Sequence, residues 1–141
     1  MPARFKCFSD KEKPSGSIRC SFVPVATQVL PIFPVYENWE DFCKRNPGAK
    51  IYYATTKGRH VYSDVHYEPD CFIMFGKESA GIPEEILKAN PDTCVRIPMI
   101  GETRSLNLSN SVAIVLYEAL RQNDFDHMKL EGQLHRLSWD D

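Results

Sequence analysis

The stretch GETRSLNLSNSVAIVLYEALRQ, residues 101–122, decides the fold that this sequence predicts. Apolar residues recur in it at spacings of three and four, with polar residues between them: Leu108, Val112, Val115, Leu116, Ala119 and Leu120. This period predicts an amphipathic helix that packs one face on a core and ends near Asn123. Short polar side chains crowd its start: Ser105, Asn107, Ser109 and Asn110. Capping needs one of them, so the surplus indicates a ligand loop or an unusual backbone path.

Upstream of this helix, short apolar runs alternate with helical patterns. Strands are predicted at 50–55 (KIYYAT), 70–75 (DCFIMF) and 93–98. The first two runs do not alternate polar with apolar residues, so we expect both to be buried on two faces. Asn38 is expected to cap a helix that stops at 46–48, and Pro83 to open one that stops at Asn90. The sequence therefore predicts an α/β fold with a mostly parallel sheet covered by helices.

Composition sets the outer limits of the prediction. The chain has 141 residues, 43% hydrophobic and 26% charged, which is typical of one soluble globular domain. No apolar run approaches the roughly 20 residues that span a bilayer, so no membrane association and a cytoplasmic location are expected. The five cysteines form no CxxC pair, and no metal site is expected. The net charge of −2 indicates no general nucleic-acid binder, although Lys57, Arg59 and His60 form either a local basic cluster or a solvated loop.

Two strand-to-loop transitions have the character of ligand loops. Residues 75–83 (FGKESAGIP) bracket a loop with two glycines between a strand and a helix, and residues 95–101 lead from the third strand into the polar string. In open parallel sheets, ligands bind at the carboxyl ends of the strands, where glycine lets the backbone approach them. The first loop alone is weak support, because two glycines also make ordinary turns.

The motifs at 75–83 and 97–122 resemble the second and third motifs of the SPOUT RNA 2′-O-methyltransferases, and 52–58 (YYATTKG) and 95–99 (VRIPM) also fit their TrmL-like (YibK-like) branch. The resemblance implies a SPOUT-type trefoil knot over 36–123 that binds S-adenosyl-L-methionine. It also implies a homodimer that methylates the ribose of the wobble nucleotide, cytidine or uridine, in leucine tRNAs. Residues 1–35 are a Pro-rich segment without a match, and 124–141 are a polar tail.

Matching the motifs position by position implies a set of cofactor-binding residues: Ala54, Thr55, Gly76, Ile97, Met99, Ser105, Leu106 and Asn107. Ile97 and Leu106 would provide apolar walls for the adenine ring. Glu78 and Tyr117 are the catalytic candidates that the resemblance implies. Each has an alternative role, since Glu78 could support its loop and Tyr117 could pack in the core.

The N-terminal motif of the family, N-x-G-N-I-x-R, has no counterpart in this sequence. Its arginine is the residue that the resemblance would place at the ribose, and Arg19 lacks the surrounding asparagines. Two hypotheses follow, an active tRNA 2′-O-methyltransferase and a catalytically impaired remnant that binds cofactor or RNA without turnover. The abrupt onset of the resemblance at Tyr36 favours a shifted reading frame, a truncated gene or a wrong start for residues 1–34, with the N-terminal strand and helix of the family atypical or absent.

Overall fold

A six-stranded sheet organises the chain in a computed structural model, which describes residues 6–7, 21–24, 38–76, 81–101, 106–126 and 128–140. The strands are β1 Lys6–Cys7, β2 Ser21–Pro24, β3 Ile51–Ala54, β4 His60–Val61, β5 Phe72–Phe75 and β6 Cys94–Arg96. Their order across the sheet is β1-β2-β5-β3-β6-β4. The helices are α1 Trp39–Arg45, α2 Glu84–Ala89 and α3 Leu108–Gln122, with a 3-10 helix at Pro91–Thr93.

The sheet is parallel from β5 to β4 and antiparallel at its N-terminal side. Strand β3 pairs in parallel with both β5 and β6, and β6 pairs in parallel with β4. Strand β2 pairs antiparallel with β5, and β1 lies outside β2. The predicted α/β class with a mostly parallel sheet is confirmed, and the trefoil knot stays a prediction. Strand β2 lies within the Pro-rich segment 1–35 and ends at Pro24.

Adjacent residues of each central strand face two separate cores. Tyr52 and Ile73 pack with α3 in one core, whereas Tyr53 and Met74 pack with Phe42 of α1 in the other. All of these side chains are buried. Successive side chains of a strand point to opposite faces, so a continuous apolar run serves both. The prediction of two buried faces for these strands is therefore confirmed.

The predicted helix at Asn38 forms as α1. The Asn38 carboxamide oxygen accepts a hydrogen bond from the Asp41 amide at 2.8 Å, which satisfies a donor that the first turn leaves unpaired. At the other end, the Asn46 side chain donates to the Phe42 carbonyl at 3.0 Å. Phe42 lies edge-on to Phe72, with ring centroids 5.2 Å apart, and this contact fixes α1 on the sheet.

The structure corrects three details of the predicted elements. The segment 93–98 is a strand only over Cys94–Arg96, because the chain makes a 3-10 turn at Pro91–Thr93 just before it. Pro83 is the N-cap of α2 rather than a residue of its first turn. His60–Val61 forms an edge strand that its polar, two-residue sequence did not indicate. Short edge strands carry little apolar pattern, since one side of each faces solvent.

Helix α3 runs over Leu108–Gln122, as its periodicity predicts, and ends in a Schellman motif. The Phe125 amide donates to the Leu120 carbonyl at 2.9 Å and the Asp124 amide to the Arg121 carbonyl at 3.0 Å. Asp124 takes the left-handed conformation that this motif requires, with φ of 58°. Phe125 and Met128 then pack against the α3 core, whereas residues 129–140 are exposed.

Side-chain amides tie the end of α3 to the loop that follows β4. Gln122 accepts from the Tyr67 amide and donates to the Val65 carbonyl, both at 2.9 Å. Asn123 donates to the Tyr67 carbonyl at 3.2 Å. The Tyr67 hydroxyl, in turn, donates to the Tyr62 carbonyl at 2.6 Å. The end of α3 therefore supplies hydrogen-bond partners to the backbone of Val65 and Tyr67 in the loop 62–67.

Among the described residues, none of the helices combines the length and apolar character needed to cross a bilayer. The same part of the chain contains no group of three His, Cys, Asp or Glu side chains placed to hold a metal ion.

Gln122→Ala is expected to lower the free energy of unfolding by roughly 1–3 kcal/mol, because it leaves the Tyr67 amide and the Val65 carbonyl unpaired. Urea unfolding followed by circular dichroism measures the change. Gln133→Ala is the matched control, since Gln133 lies in the exposed segment 129–140. Equal stability of Gln122→Ala and wild type would show that water replaces these bonds.

Stability is expected to fall in alkaline solution. Burial, aided by the charges of Asp70 and Glu68, raises the pKa of the Cys71 thiol from 9.0 to about 12. Burial likewise raises the pKa of Tyr53 from 10.0 to about 12. Groups with a raised pKa in the folded state stabilise it below their ordinary pKa, and this contribution is lost as the pH rises through the folded value. Urea unfolding at about pH 8 and about pH 11 should show the loss, and Tyr53→Phe should reduce it.

Candidate functional site

The carboxyl ends of three parallel strands meet at one edge of the sheet. Ala54 at the end of β3 is in register with Phe75 of β5 on one side and with Val95 of β6 on the other. The Thr55 amide extends the ladder by donating to the Val95 carbonyl at 2.9 Å. The loops that leave this edge therefore start at Thr55, Gly76 and Ile97, three of the predicted cofactor-binding residues.

The chain after β3 makes a tight turn over residues 55–58. The Gly58 amide donates to the Thr55 carbonyl at 3.1 Å, and the Lys57 amide donates to the Thr55 hydroxyl at 3.2 Å. A Cβ on Gly58 would lie 2.7 Å from the Val95 carbonyl carbon, so glycine is required for the turn to pack on β6. The sequence analysis did not single out Gly58, although the glycine that ends YYATTKG was its signal.

The loop after β5 closes back on its own start. A Cβ on Gly76 would lie 2.4 Å from the Gly81 carbonyl carbon and 2.5 Å from the Ile82 nitrogen. Ile82 is buried against the α1 and α2 core, which anchors the far end of the loop. The two ends of the loop therefore lie in close backbone contact, and the predicted approach of this backbone to a ligand stays a prediction. Glu78 lies outside the described residues.

Apolar side chains from the third loop lie between core and solvent. Ile97, Met99 and Leu106 are each half-buried, and Ile97 packs against the α3 core. These partly exposed aliphatic surfaces are the kind that line small-molecule sites. Ser105 lies outside the described residues.

Asn107 stabilises the start of α3. Its carboxamide oxygen accepts from the Asn110 amide at 3.1 Å, so it is the N-cap of the helix. The sequence analysis expected one residue of the polar string to cap the helix, and Asn107 is that residue. Its side chain is exposed. Its predicted role toward a cofactor stays a prediction.

Tyr117 does not pack in the core. Its side chain is 53% exposed, because it lies on the opposite face of α3 from the buried Val115, Leu116 and Ala119. The packing role considered for Tyr117 is therefore wrong. The next residue, Glu118, turns inward, and hydrogen bonds from Arg121 and Gln122 lower the pKa of its carboxyl group.

The three residues of the expected basic cluster have different surroundings. Lys57 pairs with Glu84 in the first turn of α2, with 2.8 Å between Nζ and Oε1. Arg59 is exposed, and His60 is half-buried in β4. The hydrogen bond from Lys57 lowers the pKa of the Glu84 carboxyl group.

Comparison with known proteins places these features in a family. The model of the SpoU rRNA Methylase family matches residues 21–117, so the match begins ahead of residue 36. A Listeria innocua relative is 46% identical over 109 residues, which cover 75% of this chain and 64% of the relative. The tRNA (cytidine(34)-2′-O)-methyltransferase of Methylovorus glucosotrophus is 46% identical over 92 residues, covering 64% of this chain and 60% of that protein. The Escherichia coli K12 protein of the same name is 40% identical over 88 residues, covering 62% and 56%.

Solved structures agree with this placement. A Bacillus anthracis protein superimposes with a TM-score of 0.65 and 37% identity, covering 70% of this chain and 64% of that one. A structure concerned with 2-OH methylation of C/U34 on tRNA superimposes with a TM-score of 0.60 and 33% identity, covering 64% and 56%. The chain spans 64% of the length of the first curated relatives that it matches. Since the family match covers well over half of the sequence and the sheet has the expected parallel order, this chain belongs to the SpoU rRNA Methylase family.

Proposed function

We propose that this chain is an S-adenosyl-L-methionine-dependent tRNA 2′-O-methyltransferase that acts on the wobble nucleotide, cytidine or uridine. The supporting observation is the match to relatives that are named tRNA (cytidine(34)-2′-O)-methyltransferase and are 40–46% identical to it. The carboxyl edge of the sheet supports the same proposal, because it gathers Thr55, Gly76 and Ile97 where ligands bind in parallel sheets.

The residues of this edge fit a nucleoside cofactor. Half-buried Ile97 and Leu106 offer aliphatic walls to an adenine ring, and Gly76 begins the loop that leaves β5 at the same edge of the sheet. Ala54 and Thr55 would border the ligand at the end of β3, with Met99 on the third loop. Ser105 and Asn107 would close over it, the latter through the carboxamide nitrogen that capping leaves available.

S-adenosyl-L-methionine, when bound, supplies a methyl group on a positively charged sulfur. Transfer of this methyl group to the ribose 2′-oxygen would release the hydroxyl proton, which a residue of this chain would have to accept. Within the proposal Tyr117 and Glu78 are the candidate acceptors of that proton. The exposure of Tyr117 supports its candidacy, because a base must reach the substrate from the protein surface. Holding the two reactants in line would supply much of the acceleration.

The partners belong to the same proposal. Leucine tRNAs would be the substrate and a cytoplasmic location would follow from it. A homodimer is proposed because α3 presents an exposed row of one aromatic and several small or polar side chains: Ser109, Ala113, Tyr117 and Arg121. Small residues in such a row let a second helix approach closely.

The alternative proposal is a remnant that binds cofactor or RNA without turnover. It is favoured by the lack of an N-x-G-N-I-x-R string in the sequence, since no arginine can then be assigned to the ribose. The two proposals share the cofactor site and differ in methyl transfer.

S-adenosylhomocysteine is expected to bind, and Gly76→Ala is expected to weaken binding at least tenfold. The added Cβ must displace the backbone of Gly81 and Ile82, which deforms the loop that would hold the ligand. Isothermal titration calorimetry measures both affinities. Gly132→Ala is the matched control, because a Cβ there meets nothing within 4 Å. A wild-type protein that gives no binding heat at saturating ligand would contradict the cofactor site.

Methyl transfer separates the active enzyme from the remnant. With labelled S-adenosylmethionine and bulk tRNA, we expect labelled 2′-O-methyl groups, and we expect Tyr117→Phe to reduce the rate by roughly 10²-fold or more if Tyr117 accepts the proton. Tyr53→Phe removes the same hydroxyl group from a tyrosine buried in the α1 core, away from α3, and serves as the control. Cofactor binding without any labelled tRNA would establish the remnant instead.

A further inference from the structure

An ion pair joins two of the loops at the carboxyl edge of the sheet. Lys57 follows β3 and Glu84 opens α2, and their side chains meet although 27 residues separate them, with Nζ 2.8 Å from Oε1. Strand β3 is hydrogen-bonded to β5, and α2 is the next helix along the chain after β5. The ion pair therefore connects the loop after β3 with this helix.

The backbone holds Lys57 in a defined direction. The Thr55 hydroxyl accepts a hydrogen bond from the Lys57 amide, and the Thr55 carbonyl accepts one from the Gly58 amide. Gly58 packs against the Val95 backbone, which leaves no room for a side chain. On the other side, Pro83 accepts the Ile86 amide at 3.1 Å and starts the turn that carries Glu84. Both ends of the pair are thus attached to structured backbone rather than to free loops.

We propose that Lys57 and Glu84 are positioning residues that hold the turn 55–58 to the start of α2 and thereby keep the loops that begin at Thr55 and Gly76 in place at the carboxyl edge of the sheet. The proposal rests on the proposed function, in which this edge of the sheet binds S-adenosyl-L-methionine. Neither side chain touches the cofactor in this role. The lowered pKa of Glu84 is consistent with a formed pair, because the hydrogen bond from Lys57 is its largest cause.

The competing role for Lys57 is direct contact with an RNA phosphate. In the structure its charge is already balanced by Glu84, so a phosphate would have to displace a carboxylate at 2.8 Å. Binding experiments distinguish these two roles of Lys57. A positioning residue changes the affinity for the cofactor, whereas a phosphate ligand changes the affinity for RNA and its dependence on salt.

The effect of an exposed pair is modest. The two side chains are 56% and 76% exposed, and pairs of this kind change an equilibrium by about two- to fivefold. A second lysine provides a matched control. Lys50 stands just before β3, at the opposite edge of the sheet, and its Nζ is 4.0 Å from Oε1 of Glu68.

The test uses the full chain and four variants: Lys57→Met, Glu84→Gln, the charge-swapped double variant Lys57→Glu with Glu84→Lys, and the control Lys50→Met. Calorimetry with S-adenosylhomocysteine gives the affinities, and hydrogen exchange gives the protection of the Gly58 and Ile86 amides. We expect each single variant at the pair to weaken affinity and to lower protection by about two- to fivefold, and the double variant to restore both. Lys50→Met should leave both unchanged.

Three results would overturn the positioning role. The first is unchanged affinity and protection in Lys57→Met, and the second is a double variant no better than the single ones. The third is a loss of tRNA affinity in Lys57→Met with cofactor affinity intact, which would assign the lysine to RNA. If the wild-type chain binds no S-adenosylhomocysteine, the proposed function fails, and amide protection alone still decides whether the pair holds the two elements together.

Discussion

The parallel pairing of β3 with two neighbours is the constraint on which the rest of this structure depends. Ala54 is in register with Phe75 on one side and Val95 on the other, so three strands end at the same edge. The backbone packs closely where the chain leaves β3 and β5, since Gly58 lies against Val95 and Gly76 against Gly81. A shift of one residue in this register would send Tyr52 and Tyr53 to the wrong cores and would separate the loops of the candidate site.

Helix α3 links this edge to the opposite side of the domain. Asn107 caps its first turn beside the half-buried Leu106, and Gln122 at its other end bonds the backbone of Val65 and Tyr67 in the loop 62–67. Its inner face fills one core, while Tyr117 stands on its outer face. One helix therefore carries a candidate catalytic side chain, ends the third loop of the candidate site and supports a distant loop.

Local pattern predicted the central strands, the three helices and the loops that leave the sheet, because apolar period, caps and glycines are properties of neighbouring residues. Local pattern did not predict the features that depend on contacts between distant parts of the chain. The edge strand at His60–Val61 forms because β6 offers it a partner, and Tyr117 is exposed because of how α3 is rotated on the sheet. The pairing of Lys57 with Glu84 joins residues whose spacing along the chain has no periodic meaning.

The sequence by itself determined the class of fold, the position of α3 and the family motifs at 75–83 and 97–122, since each is encoded within a short stretch. The tertiary structure decided which of the named residues meet. It brought Thr55, Gly76 and Ile97 to one edge, assigned Asn107 to capping and turned Tyr117 outward. The physical reason is that register across a sheet and the rotation of a packed helix follow from the burial of two cores at once, which no single stretch of sequence contains.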